Sequence, residues 1–197
     1  MEINSATHPG DAPRGNEDVV IAGSRFAVLV NAAGPLRPGT RPPVSEVCAR
    51  LAAGLIECPD APLDTLLGEA LGGAEADYPS ALCVAVARTR EGKVDLLLRG
   101  GTAALIQFPN LTVNEMLHSR YPGRPLAGSL PVSEVRRVCL LSEGAHRLAG
   151  RCGWNGREVL DRVAAEGPDA LLAKMRAAEP AHPPTGASVA LCSLSSG

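Results

Sequence analysis

The sequence predicts an α+β protein with two stacked sheets, each covered by a pair of helices. Short apolar runs recur along the chain without alternating polar and apolar residues, which is typical of strands buried on both faces. Helical patterns fall into two separate pairs between groups of these runs, unlike the regular alternation of a doubly wound sheet. The length of 197 residues and the 45% hydrophobic content fit one globular domain with a substantial core.

The elements follow in a simple order. The apolar runs predicted to be strands are Val19–Ala22, Phe26–Val30, Ala81–Ala87, Val94–Leu98, Val138–Leu141 and Ala187–Leu191. Amphipathic helices are predicted after Pro43, after an N-cap at Asp60, after an N-cap at Asn155 and from Pro168. The Pro/Gly-rich segments 31–43 and 118–131 are predicted to be loops. Residues 1–15 are expected to be a flexible segment and residues 16–194 a single domain.

Composition excludes several classes of function. The net charge is −2, from 19 basic and 21 acidic residues, and aromatic residues make up only 3% of the chain, so no nucleic-acid surface is predicted. Neither a membrane-spanning run nor a signal-peptide pattern is found, which favours a cytoplasmic protein. The cysteines form no CxxC pair, and Cys83, Cys139 and Cys192 are expected to be reduced core residues.

Seven segments, taken in order, resemble one known family. They are NEDVVIAG, FAVLVNAAG, PSALCVAVAR, LLLRGGTAAL, CLLSEGA, GPDALLAKMRAAE and TGASVALC, and they extend from Asn16 to Cys192. This series is similar to the metal-dependent type-2C (PPM) protein phosphatases, most closely to their compact bacterial members. The resemblance implies a four-layer α/β/β/α sandwich of two antiparallel sheets flanked by helix pairs.

Active members of that family hold two divalent cations, mainly through aspartates, and metal-bound water attacks a phosphoserine or phosphothreonine ester. Hard cations such as Mg²⁺ and Mn²⁺ prefer carboxylate oxygens. This sequence departs from the family pattern at each of four motifs. The family's Asp-Gly, Gly-Asp-Ser, Ser-Asp-Gly and final Asp-Asp or Asp-Asn motifs are matched here by Asn31-Ala32, Gly100-Gly101-Thr102, Ser142-Glu143-Gly144 and Thr185-Gly186.

Of those four acidic positions, only Glu143 keeps a carboxylate, and it stands one methylene further from the backbone. Glu17 and Asp18 match family residues that act near the metals, and Arg14 stands near the position of an anion-binding arginine. The alternatives are a structural acidic pair at a strand start and a solvated loop arginine. The resemblance therefore implies no metal site, with Mn²⁺ or Mg²⁺ binding lost or weak.

His146 follows Glu143 by three residues, so the two side chains face each other if a helix or turn begins at Gly144. Such a pair is a candidate catalytic acid–base couple. The alternative is an exposed turn histidine. His8, His118 and His182 show no metal-ligand spacing and are predicted to be loop residues.

Three functions remain open. The first is a pseudophosphatase, in which the scaffold binds a protein partner through the former cleft and acts as a regulatory module. The second is a metal-independent enzyme on a small molecule or peptide, in which Glu143 and His146, with Asp18 or Asn31, perform cyclisation, isomerisation or elimination. The third is weak, Mn²⁺-dependent phosphatase activity at Glu143, Asp18 and Asn31.

Overall fold

Strands supply most of the architecture of the computed structural model, which describes residues 1–9, 18–32, 43–72, 82–118, 124–178 and 186–194. The strands are β1 (Glu2–His8), β2 (Val19–Ala22), β3 (Phe26–Ala32), β4 (Leu82–Arg90), β5 (Lys93–Arg99), β6 (Ala103–Gln107), β7 (Val113–Leu117), β8 (Leu126–Pro131), β9 (Arg137–Leu141) and β10 (Ala187–Ser193). The helices are α1 (Val44–Glu57), α2 (Leu63–Leu71), α3 (Glu143–Arg151), α4 (Gly156–Glu166) and α5 (Pro168–Ala177).

The strands form two five-stranded sheets. Sheet A has the order β1-β10-β9-β6-β7, and sheet B has the order β2-β3-β4-β5-β8. Every neighbouring pair is antiparallel. The predicted α+β class with two antiparallel sheets is therefore confirmed.

Three apolar layers separate the four structural layers. The outer face of sheet B packs on α1 and α2, through residues such as Val28, Leu51 and Leu67. The outer face of sheet A packs on α3, α4 and α5. The two inner faces meet in a layer that includes Leu29 and Leu140. Because most strands have apolar neighbours on both faces, their sequences read as continuous apolar runs.

The predicted helix starts are mostly confirmed. Helix α1 follows Pro43, and α5 begins with Pro168 in its first turn. At α4 the side chain of Asn155 accepts a hydrogen bond from the Glu158 amide, and the Glu158 side chain accepts one from the Asn155 amide. The N-cap predicted at Asp60 is wrong. Pro62 occupies the N-cap position of α2, where no side chain caps the helix.

The helix layer over sheet A contains a helix that the sequence pattern did not predict. Helix α3 directly follows β9, and Ser142 caps it by accepting a hydrogen bond from the Ala145 amide. Its buried face carries one large aliphatic residue, Leu148, beside Gly144, Ala145 and Ala149, so the sequence shows no apolar run there. In the described residues this layer therefore holds three helices, while the layer over sheet B holds the expected pair.

Four strands also lie outside the predicted set: β1, β6, β7 and β8. Strand β1 lies within the segment expected to be flexible and pairs along its whole length with β10. Strand β8 lies within the predicted loop 118–131 and pairs with β5 at the edge of sheet B. An edge strand tolerates Gly128 and Pro131 because one row of its backbone groups needs no partner strand. Residues 33–42, in the other predicted loop, lie outside the described residues.

The three cysteines predicted to be core residues are buried thiols. Burial raises the pKa of the Cys139 thiol above its ordinary value, and it raises the pKa of Cys192 to about 12. The Cys139 and Cys192 thiols stay protonated at neutral pH and act as small apolar side chains. Within the described residues, none of the helices is both long and apolar enough to span a bilayer.

The sole tryptophan of the chain lies in the helix layer over sheet A. Trp154 stands between α3 and α4, and the Arg162 guanidinium carbon lies 4.4 Å from its ring centroid. This cation–π contact holds the ring against α4.

A buried ion-pair network fixes the α1–α2 connection to sheet B. Arg88 donates hydrogen bonds to Asp95 at 2.8 Å and to the carbonyls of Pro59 and Ala61 at 2.8 and 2.9 Å. Arg90 Nε donates to the same Asp95 oxygen at 2.6 Å, and Ser129 donates to the other oxygen. Burial raises the pKa of Asp95, but these hydrogen bonds outweigh burial and hold the pKa below its ordinary value.

Replacing Asp95 by asparagine is expected to lower the free energy of unfolding by about 3 kcal/mol at neutral pH, because Arg88 would lose its buried counter-charge. The lowered pKa fixes the sign of the pH dependence. The contribution of Asp95 is complete above the unfolded pKa of about 3.9 and is lost as the pH falls through the lower folded value. Urea unfolding of both proteins at neutral and acidic pH measures this difference, which should shrink in acid.

The matched control is Asp161→Asn, which removes an exposed partner lying 3.7 Å from Arg157. This change is expected to cost less than about 0.5 kcal/mol. An equal cost for the two variants would contradict the assigned role of Asp95.

Candidate functional site

Polar side chains enter the inter-sheet layer at one end of the sandwich. Asp18 precedes β2 and Asn31 lies near the end of β3, and both are buried. Val19 pairs with Val30, so the register places Asp18 opposite Asn31. Their neighbours Val20 and Leu29 line the inter-sheet layer, and side chains alternate along a strand. Both polar groups therefore point between the sheets.

Sheet A meets Asp18 through Ser188, at the start of β10. Ser188 Oγ lies 2.9 Å from Asp18 Oδ2 and 2.9 Å from Thr7 Oγ1. A hydroxyl has one proton, so Ser188 donates to the carboxylate and accepts from Thr7. The Ser188 amide in turn donates to Ser142 Oγ at 2.9 Å. This chain of hydrogen bonds joins both sheets to the start of α3.

Two glycines at the cleft make room for carboxylates. A Cβ added at Gly186 would lie 2.8 Å from Asp18 Oδ1. A Cβ added at Gly101 would lie 2.9 Å from both Cγ and Oε2 of Glu143. Gly101 also has a φ of +44°, which few side-chain-bearing residues adopt. Each carboxylate thus packs directly against a position that has no side chain.

Glu143 and His146 lie in the first turn of α3 and line one open pocket together with Gly101. The structure pairs His146 with a different carboxylate from the predicted one, because its Nε2 lies 2.7 Å from Glu115 Oε1 on β7. Glu143 and His146 therefore line the same pocket, and their action as an acid–base couple stays a prediction. The close carboxylate–histidine contact is His146–Glu115.

The donor set at the cleft is small. Asn31 Oδ1 is buried and has no hydrogen-bond partner among the described residues. In the same part of the chain, no group of three or more His, Cys, Asp or Glu side chains is gathered closely enough to hold a metal ion. The described cleft therefore offers two carboxylates, Asp18 and Glu143, and one neutral amide oxygen.

The other predicted site residues divide into two sets. Arg14, Glu17 and Thr185 lie outside the described residues. Ala32 is described and packs against the α1–α2 core, on the face opposite to the inter-sheet layer. Ser142 is fully buried and serves as helix cap and as acceptor for the Ser188 amide.

Sequence reasoning missed Ser188, Thr7 and Glu115. No local motif marks them, since Thr7 and Ser188 reach Asp18, and Glu115 reaches His146, only in the folded chain. His118 was predicted to be a loop residue, and it follows β7 directly. Its Nδ1 accepts a hydrogen bond from the Gly100 amide at 3.0 Å, and its Nε2 lies 3.0 Å from the Arg124 carbonyl oxygen. A signal for the pocket was present in the sequence, as the i, i+4 spacing of Arg147 and Arg151.

Comparison with known proteins identifies the fold. No protein-family model matches the sequence, and no curated protein matches it either. Solved structures do match it along nearly its whole length. The PPM Ser-Thr phosphatase MsPP from Mycobacterium smegmatis, solved in complex with cacodylate, has a TM-score of 0.67 at 13% identity over 99% of each chain.

Two further structures give the same result. The catalytic domain of the serine/threonine phosphatase PstP of Mycobacterium tuberculosis, solved with two manganese ions, has a TM-score of 0.64 at 13% identity over 96% of each chain. PppA, described as a key regulatory component of the T6SS in Pseudomonas aeruginosa, has a TM-score of 0.67 at 14% identity over 96% of each chain. The chain has the fold of the bacterial PPM phosphatases, as the resemblance implied.

Gly186→Ala tests the contact between Asp18 and Gly186. The added methyl group would overlap the buried carboxylate, so we expect a loss of about 1–3 kcal/mol in the free energy of unfolding, measured by urea denaturation. In an Asp18→Ala background the same change is expected to cost far less, because the overlapping carboxylate is absent.

Gly128→Ala on the edge strand β8 is the control, since its added methyl would reach only Met116 Cε at 4.0 Å. Its expected cost is within about 0.5 kcal/mol. If Gly186→Ala proves as harmless as Gly128→Ala, the described packing of Asp18 is incorrect.

Proposed function

We propose that this protein keeps the PPM fold without a two-metal phosphatase centre and acts as a binding or regulatory protein, a pseudophosphatase. One observation carries the proposal. The resembling family places an aspartate at the position of Gly101 and the second residue of its final Asp-Asp or Asp-Asn pair at that of Gly186, and neighbouring carboxylates pack against both glycines. The space that extra ligands would need is filled by Glu143 and Asp18.

The charge of the cleft supports the same proposal. In the family, metal-bound water attacks the phosphate ester between two cations, and carboxylates neutralise the cations. Here Asp18 accepts a hydrogen bond from Ser188, and Asn31 contributes only a neutral oxygen. Stripping water from two divalent cations is costly and needs more anionic oxygen than this. The described donors do not fit such a pair of ions.

A regulatory role is consistent with the PPM fold of the chain. The cleft end of the sandwich is held rigidly by the hydrogen bonds among Asp18, Ser188 and Ser142. A rigid cleft without hydrolytic chemistry is suited to holding a ligand or a protein segment for long periods. PppA, a fold neighbour, is itself described as a regulatory component. We infer that the partner of this chain is a protein or a small molecule that enters the former active-site cleft.

A second candidate function rests on the His146–Glu115 contact. A histidine within 2.7 Å of a carboxylate, beside an open pocket, can take and return a proton. Glu143 lines the same pocket and adds a second ionisable group. These residues would allow metal-independent acid–base chemistry on a small molecule or peptide. Under this alternative, a ligand held in the pocket is converted rather than merely bound.

The metal test uses thermal unfolding of chelator-treated protein with and without about 1 mM Mn²⁺. A site with a micromolar dissociation constant would stabilise the fold by about 4 kcal/mol and raise Tm by roughly 8 °C or more. We expect no shift above about 1 °C, and no hydrolysis of p-nitrophenyl phosphate that depends on Mn²⁺. A large shift with turnover would overturn the proposal and establish residual phosphatase activity instead.

A variant with carboxylates restored provides the matched control. Asn31→Asp, Gly101→Asp, Glu143→Asp and Thr185→Asp together rebuild the family's four acidic positions. Shortening Glu143 to aspartate also frees space beside Gly101. This variant is expected to show a larger Mn²⁺-dependent rise in Tm than the natural chain. Equal responses would mean that the four positions do not decide metal affinity.

A further inference from the structure

An open pocket of about 490 Å³ lies between α3 and the end of β7. Helix α3 supplies one wall through Glu143, His146, Arg147, Gly150 and Arg151, at intervals of three and four residues. This spacing places all five residues on one face of the helix. These residues of α3 therefore form one continuous wall of the pocket.

Two arginines lie on that face. Arg147 and Arg151 are one helical turn apart, which separates their backbone positions by about 6 Å along the axis. Both line the pocket, and Arg151 is exposed. Guanidinium groups form paired hydrogen bonds with carboxylates and phosphates more readily than other cations do. This half of the pocket suits an anionic group.

The opposite wall is apolar. Leu117, the last residue of β7, lines the pocket and is 51% exposed, which is high for a large aliphatic side chain. His118 lies beside it, and its Nδ1 accepts a hydrogen bond from the Gly100 amide. An apolar group packed on Leu117 would remove this surface from water.

Glu143 limits the charge of the ligand. Its carboxylate lies at the Gly101 end of the pocket and is only 9% exposed. A dianion such as free phosphate would meet repulsion from this group, whereas a single carboxylate can bind at the arginine end, away from it. The pocket thus combines a cationic end, an apolar wall and an anionic end.

We propose that this pocket binds a carboxylate carried next to an apolar group, with the carboxylate on Arg147 and Arg151 and the apolar group on Leu117. The carboxylate can come from a small organic acid or from the C-terminus of a protein chain. This inference rests on the proposed function, because a cation held at Glu143 would reverse the charge at that end of the pocket.

N-acetyl-leucine tests the site, with N-acetyl-leucinamide as its uncharged counterpart. In calorimetric titrations that contain EDTA, we expect the acid to bind with at least tenfold higher affinity than the amide. Arg151→Gln should weaken binding of the acid about tenfold, because a charge-assisted hydrogen bond is lost. Inorganic phosphate should bind more weakly than the acid. Equal affinity for acid and amide, or no measurable binding of either, would overturn the proposal.

Blocking the pocket gives a second test that leaves every charge in place. A Cβ at Gly150 would meet no atom within 4 Å, so Gly150→Leu fills the pocket without disturbing the helix. Gly68 in α2 has equally open space on the opposite helix layer, and Gly68→Leu is the matched control. Binding should be abolished in Gly150→Leu alone. Unchanged binding in both variants would place the ligand elsewhere.

A pentapeptide that ends in leucine distinguishes the two sources of the carboxylate. Tighter binding than N-acetyl-leucine assigns a protein C-terminus, and weaker or equal binding assigns a small acid. Because the titrations contain EDTA, they separate this proposal from the metal test. Mn²⁺ binding in the earlier experiment would reject the pseudophosphatase proposal and leave the result in EDTA intact. NMR spectra of the bound acid over time show whether it is converted or only held.

Discussion

The buried carboxylate of Asp18 is the point at which the two sheets depend on each other. The inter-sheet layer is packed mostly from aliphatic side chains, whose burial is favourable but non-directional. A carboxylate removed from water requires a hydrogen-bond donor at a definite place, and Ser188 supplies it from the opposite sheet. The requirement fixes β2 against β10. It also explains why Gly186, next to Ser188, has no room for a side chain.

The same arrangement relates stability to function. In a metal enzyme, carboxylates at a cleft repel each other until cations bind them. Here Asp18 is held by a hydroxyl group, and Glu143 packs over Gly101. Interactions within the protein therefore contact both carboxylates in the described structure. Stability and catalysis often compete at an active site, and these contacts belong to the stability side of that balance.

Most of the fold could be predicted from the sequence, because continuous apolar runs such as those of β3 and β4 report burial on both faces. The edge strand β8 could not, since its exposed residues with Gly128 and Pro131 resemble a loop. Helix α3 was missed because its buried face uses small residues. At the site, the residues in motifs, such as Asn31 and Glu143, were found in sequence. Ser188 and Glu115, which contact Asp18 and His146, could not be predicted, because these contacts join residues far apart in the sequence.

The position of Trp154 makes tryptophan fluorescence sensitive to one half of the molecule and not to the other. The chain has a single tryptophan, and it lies wholly within the helix layer over sheet A, stacked on Arg162. Its emission therefore reports the state of α3, α4 and their sheet, while α1 and α2 are silent in that signal. Circular dichroism weights all helices alike. If the two helix layers unfold at different denaturant concentrations, the unfolding curves from fluorescence and from circular dichroism do not coincide. The order of the two midpoints then shows which layer unfolds first.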